Sequence, residues 1–179
     1  NRASLYEHGG ANRRSTQAGG LGDVRLTGYA WILNPQKSHN GNIQVGLGIK
    51  LPTGKDDVMD DFYNVGPNGS SRRGPVDQSI QPGDGGFGLT TEINAYYNFT
   101  HNFGMYGTFF YLFNPRDVNG VSTARGGTAS ASSIANTSNV MSVPDQEMVR
   151  LGFSLGTKHL DFSAGVRYEC LPVRDVFGD

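Results

Sequence analysis

The stretch Asn42–Leu51, NIQVGLGIKL, alternates apolar and polar residues without a break. Ile43, Val45, Leu47, Ile49 and Leu51 fall on one side; Asn42, Gln44, Gly46, Gly48 and Lys50 fall on the other. Successive side chains of a strand point to opposite faces, so this is a strand with one greasy and one wet face. Five further stretches repeat the pattern: Asp23–Leu33, Gly86–Phe99, Phe103–Phe113, Gln146–Thr157 and Leu160–Glu169. Only the first is divided in phase, with Val24, Leu26, Ala30 and Ile32 competing against Tyr29, Trp31 and Leu33. An all-β, antiparallel chain is expected.

The connections sharpen that expectation. Asn34–Gly41, Thr100–Asn102 and Lys158–His159 are short and polar, whereas Lys55–Gly85 and Asn114–Pro144 are long. Short turns on one edge and long loops on the other, with strands near ten residues, are the rhythm of an outer-membrane β-barrel. The long loops, spanning about 53–85 and 114–145, would then be extracellular. Aromatics at strand ends (Trp31, Phe87, Phe99, Phe103, Phe113, Tyr168) fall where interfacial girdles lie. A soluble sandwich or lipocalin-like barrel also alternates, but its interior would hold packed aliphatics where this chain has Gly, Asn and Glu. Six strands are too few to close a barrel. The expectation is one barrel domain over residues 1–179, an internal portion of a transmembrane β-barrel of 10–12 or more strands. Asn1–Gly20, polar and Gly-rich, reads as a loop or mobile end.

Composition agrees. Gly is abundant at 26 residues and the hydrophobic fraction is 36%, which suits a wall whose wet side needs no apolar residues. No run approaches the roughly 20 apolar residues of a membrane-spanning helix. Net charge is −1 without a basic block, so a nucleic-acid partner is not expected. The single cysteine, Cys170, excludes an internal disulfide and a Cys-based zinc site. No leader is visible at NRASLYEHGG, which for an exported barrel implies a processed or truncated chain.

Four segments carry a family likeness: GLGDVRL at Gly20–Leu26, VGLGIKLPTGKDD at Val45–Asp57, DQSIQPGDGGFGL at Asp77–Leu89 and GVRYECLPVRDVFG at Gly165–Gly178. In this order they resemble the outer-membrane barrel family named MetA-pathway of phenol degradation, whose members are described as transporters. The resemblance implies an outer-membrane barrel in a Gram-negative cell that passes small, hydrophobic or aromatic compounds.

The polar positions of the strands are the candidate lumen lining: Arg25, Gln44, Lys50, Glu92, Asn94, Arg150, Asp161, Arg167 and Glu169. Both signs of charge in a wet passage would guide a small solute. Equally, the same groups would pair across a narrow interior and plug it. Asp56, Asp57, Asp60 and Asp61 offer oxygen ligands to Ca²⁺, but their spacing lacks the EF-hand order, and a solvated acidic loop is the simpler expectation. GDGGFG at Gly83–Gly88 precedes a strand rather than opening a helix, so it fails as a phosphate loop. His8, His39, His101 and His159 are scattered over turns, with no nucleophile motif beside them. No catalytic residue and no cofactor is expected.

The expected role is a passive channel or transporter. The expected surroundings are membrane lipid and lipopolysaccharide, with a small-molecule solute and, in addition, a protein partner or a homo-oligomer. The alternative is a structural or interaction barrel that anchors a partner through its long loops. The Ser/Ala/Gly-rich tract Ser122–Asn139 suits a flexible loop, or one ordered only on contact.

Overall fold

The computed structural model describes residues 2–6, 13–63 and 65–171. In chain order the strands are β1 (Arg2–Tyr6), β2 (Arg13–Gln17), β3 (Val24–Trp31), β4 (Gly41–Leu51), β5 (Met59–Phe62) and β6 (Arg72–Pro75). They continue as β7 (Gly88–Asn98), β8 (Phe103–Phe113), β9 (Val118–Ser122), β10 (Val140–Ser142), β11 (Gln146–Gly156) and β12 (Asp161–Cys170). One short helix, α1 (Ala131–Ala135), lies between β9 and β10. The chain divides into two compact units.

One unit, built from Arg25–Lys50, Gly88–Pro115 and Pro144–Asp179, carries a six-stranded sheet in the order β12-β11-β8-β7-β4-β3. These are the six alternating stretches. The sheet is antiparallel and open, with β12 and β3 as its edges. Register lines the apolar positions up in rows. One runs Val45, Ile93, Phe109, Val149, Tyr168 and the next Ile43, Ala95, Gly107, Leu151, Val166. A one-residue slip would turn each strand over, so the matched rows fix the pairing.

Many apolar positions of the sheet stand open, while some polar ones are sealed. Leu47 is 66% exposed and Val166 73%, while Lys50 on the polar side is 1% exposed. The divided phase of β3 also resolves. A Cβ on Gly46 would meet the Tyr29 ring at 2.6 Å and Thr27 Cγ2 at 3.1 Å, so Thr27 and Tyr29 share the polar face. Leu26 and Ala30 alternate onto the apolar one. Trp31 stands edge-on to Tyr96, with ring centroids 6.1 Å apart, so it leaves the expected girdle for the polar face. On the apolar face, Tyr97, Phe99, Phe103 and Phe153 form a continuous run of ring contacts at the short-turn end, with centroid spacings of 5.3, 5.4 and 5.8 Å.

The other unit comprises Asn1–Val24, Leu51–Phe87 and Arg116–Val143. It contains the β1–β2, β5–β6 and β9–β10 pairs. Its core is conventional: Val76, Ile80 and Ala18 are buried together with Val58 packed on them, and Phe62, Met141 and Val143 are buried too. Two expectations are corrected by it. The polar N-terminal segment forms a hairpin, Arg2–Tyr6 with Arg13–Gln17, because strand pairing satisfies backbone groups without needing apolar side chains. The tract Ser122–Asn139 is not featureless. Ser130 caps α1 by accepting from Ser133 N at 3.1 Å, and Thr123 N donates to Asn139 O at 3.0 Å, carrying the ladder past β9.

Candidate functional site

The polar face of the sheet gathers the nine positions singled out from the sequence. Its middle row, Gln44, Asn94, Thr108, Arg150 and Arg167, crosses five strands with every member polar. The row beside it runs Gly46, Glu92, Phe110, Met148, Glu169. Arg25 lies on this face because its guanidinium sits over the Phe110 ring, 5.4 Å from the centroid. Lys50 is opposite Gly88, and Asp161 opposite Gly156, at the two ends.

Side-chain bonds across this face show how the sheet bends. Arg25 Nη2 on β3 donates to Gln146 Oε1 on β11 at 3.2 Å. Four strand steps separate those strands, and a flat sheet would hold them roughly 19 Å apart at about 4.8 Å per step. An arginine and a glutamine cannot bridge that gap, so the sheet is strongly curled with the polar face inside the curve. The Tyr29 hydroxyl reaches over β4 in the same way and donates to Glu92 Oε2 on β7 at 2.7 Å. The apolar face, with its exposed leucines, valines and aromatics, is the convex one.

Glycine makes the crossings possible. Gly46 lies directly opposite Glu92, and any side chain there would occupy the space of the Tyr29 ring. Gly152 serves Tyr106 identically, since a Cβ on it would come within 2.5 Å of the Tyr106 hydroxyl. The tyrosines thus lie over glycines on the next strand.

The charges fall into two groups. Arg167 Nη2 donates to Glu169 Oε2 at 2.6 Å, and Gln146 Nε2 donates to Glu169 Oε1 at 3.0 Å. Together with Arg25 this makes a chain from β3 through β11 to β12. Arg150 instead leans on neutral groups: its Nη2 donates to the Tyr106 hydroxyl at 3.3 Å, and its carbon lies 5.0 Å from that ring centroid. Arg25 likewise rests on an amide and a phenyl ring. Both guanidiniums retain unused N–H donors after these single bonds. Lys50 is the exception among the nine, since at 1% exposure it offers a solute almost no surface.

Several residues of this face were missed from sequence. Tyr29, Tyr106 and Phe110 are central to it, yet a lining sought among charged and amide side chains passes over aromatics. Their parity was the available signal, for Phe110 shares its side of the strand with Gly104, Tyr106 and Thr108. The proposed calcium ligands do not assemble. Asp60 Oδ2 accepts from Gln17 N at 2.8 Å, while Asp61 turns to Arg73 at 3.7 Å. Neighbours on a strand point apart, and the described residues contain no cluster of three metal-type ligands. His39 and His101 lie in separate turns, and His8 is outside the described residues.

Parts of the first three segments behind the family likeness meet in the other unit, while the fourth runs from β12 past residue 171, outside the described residues. Asp23 Oδ1 accepts from Gly54 N at 2.9 Å and its Oδ2 from Asp84 N at 3.3 Å. Thr53 Oγ1 accepts from Val24 N at 2.9 Å and donates to Gly22 O at 3.1 Å. A Cβ on Gly83 would stand 2.7 Å from Gly54 O, so only glycine permits the approach. GLGD, LPTG and PGDG therefore form one junction, with Asp23 at its centre. Compared with models of protein families, with curated proteins and with solved structures, the chain matches none.

Proposed function

We propose that the curled sheet is a stretch of wall of an outer-membrane β-barrel, and that its concave face lines a passage for small molecules. The bond from Arg25 to Gln146 carries this reading, because it puts the polar face inside the curve and leaves the apolar face outward. The run of aromatic rings Tyr97, Phe99, Phe103, Phe153 at the short-turn end suits an interfacial girdle. Closing the wall takes strands besides these six. The family likeness and the rings of Tyr29, Tyr96 and Tyr106 on the concave side favour an aromatic or hydrophobic solute.

Reconstitution in planar bilayers tests the passage. Discrete conductance steps are expected, and charge reversal at Arg150 and Arg167 together should shift ion preference toward cations. An electrically silent protein that still inserts would favour the second reading. That reading is a barrel that anchors a partner through its long connections. The observation in its favour is that the connection Lys55–Gly85 folds with the N-terminal segment around a core of Val76, Ile80 and Ala18, where a simple passage needs only flexible loops.

A further inference from the structure

The convex face is not evenly apolar. In the row Ile43, Ala95, Gly107, Leu151, the two central residues are small and the outer two are large. The result is a trough whose floor is Ala95 and the Gly107 backbone, with Tyr97 and Met105 continuing it toward the short turns. Its volume is about 720 Å³, within the range of roughly 300–1,000 Å³ typical of small-ligand sites. One end is bordered by the turn Lys37–Asn40, which Asn40 O ties to β7 by accepting from Asn98 N at 2.5 Å. That turn, NPQKSHNG from Asn34 to Gly41, carries Lys37 and His39 and no acidic residue.

We propose that this trough holds one acyl chain of a phospholipid, with the phosphate diester against Lys37. The proposal rests on the reading that the convex face meets lipid, and adds to it a fixed lipid position. The two halves of such a ligand match the two halves of the site. The floor and walls offer apolar surface that a methylene chain covers without losing any hydrogen bond. A lysine at the rim presents its ammonium to the headgroup while its stem lies along the apolar surface. His39 stands on the same rim, and no carboxylate of the turn competes for Lys37. In the row beside it, Val45, Ile93, Phe109 and Val149 are all bulkier, so that row has no small-residue floor.

Native mass spectrometry of the delipidated full-length protein in non-ionic detergent tests this. The probes are phosphatidylglycerol and a diacylglycerol with the same chains, and liposome flotation runs in parallel. One phosphatidylglycerol should stay bound as detergent is stripped. Ala95→Phe, which fills the floor, and Lys37→Glu, which reverses the rim charge, should each lower retention roughly tenfold, and the diacylglycerol should bind roughly tenfold more weakly. Both variants should float with liposomes as the wild type does, showing that they remain folded and inserted. Equal retention by the wild type and both variants overturns the site, as does equal binding of the uncharged lipid. A wild-type protein that fails to float overturns the wall reading and the lipid site with it.

Discussion

The two compact units of this chain follow opposite rules of burial. In the unit of long connections, Val76 and Val143 have no exposed surface and Phe62 has 2%, while the charged pair Asp61 and Arg73 faces outward on β5 and β6. That is the arrangement water imposes. In the sheet, Leu26, Leu47, Leu151, Phe153 and Val166 are exposed, whereas Asn42, Lys50 and Thr90 are sealed. An apolar face running across six strands is far larger than the few hundred square ångströms a water-soluble monomer tolerates. We read this as one part built for water and one built for a second surrounding. Under the wall reading the second surrounding is the bilayer.

Substitutions in each unit test that contrast, and the largest effect belongs to the unit of long connections. Phe62→Ala removes a buried ring that also lies under the Arg125 guanidinium, 5.8 Å from its centroid; the cost is expected at about 3–5 kcal/mol. Limited proteolysis should then cut within Leu51–Phe87 while the sheet stays protected. Uniform digestion of the whole chain would show instead that the two units are not independent. Next comes Phe109→Arg on the convex face, in the row between Ile93 and Val149. A lipid-facing arginine at mid-wall costs about 2–4 kcal/mol, read as reduced stability in urea titrations of liposome-inserted protein. A surface phenylalanine in water would answer with no loss and better solubility, and that result would remove lipid from the account.

Gly46→Val is expected to come third. Its side chain would enter the space of the Tyr29 ring, and overpacking of this kind costs about 1–3 kcal/mol. The displaced Tyr29 would also release Glu92 on the concave face. Conductance should therefore change along with stability, whereas Phe62→Ala should leave the open-channel current alone.

What could be read in advance depended on which physics set each feature. Strand positions were legible because alternation is written residue by residue, and β8 spans Phe103–Phe113, the expected range, without shift. The nine polar positions share a face for the same reason. The curl of the sheet was not legible, since Arg25 and Gln146 are 121 residues apart and nothing local links them. The roles of Gly46 and Gly152 were hidden likewise: a glycine reads as merely not apolar until its neighbour strand supplies a tyrosine. Low-complexity text misled in the long connections. Ser130 and Asn119 act there through specific bonds, with Asn119 Nδ2 donating to Asp84 O at 3.1 Å, and such bonds leave no periodic signature.

The smallest expected effect separates the units by pH. Asp77 sits at the foot of the water-built core, where its Oδ1 accepts from the Ser79 hydroxyl at 2.7 Å and from Ser79 N at 3.0 Å. The Ser79 hydroxyl first, and then its backbone N–H, hold the carboxyl below the ordinary aspartate range. A carboxyl with a lowered folded-state pKa contributes its stability in full above the unfolded value. That contribution fades as pH falls through the folded one. The wild type should therefore lose stability in the connection unit as pH drops below the ordinary aspartate value, and Asp77→Asn should flatten that loss while being weaker at neutral pH. Hydrogen exchange at Gln78–Gln81, compared at pH 3 and pH 6, reads this locally. The sheet's concave carboxylates answer to other partners, so protection of β7 and β8 should not differ between wild type and Asp77→Asn at either pH. A variant that altered both regions alike would mean that acid acts through the whole molecule, and the contrast between the two burial rules would lose its independence.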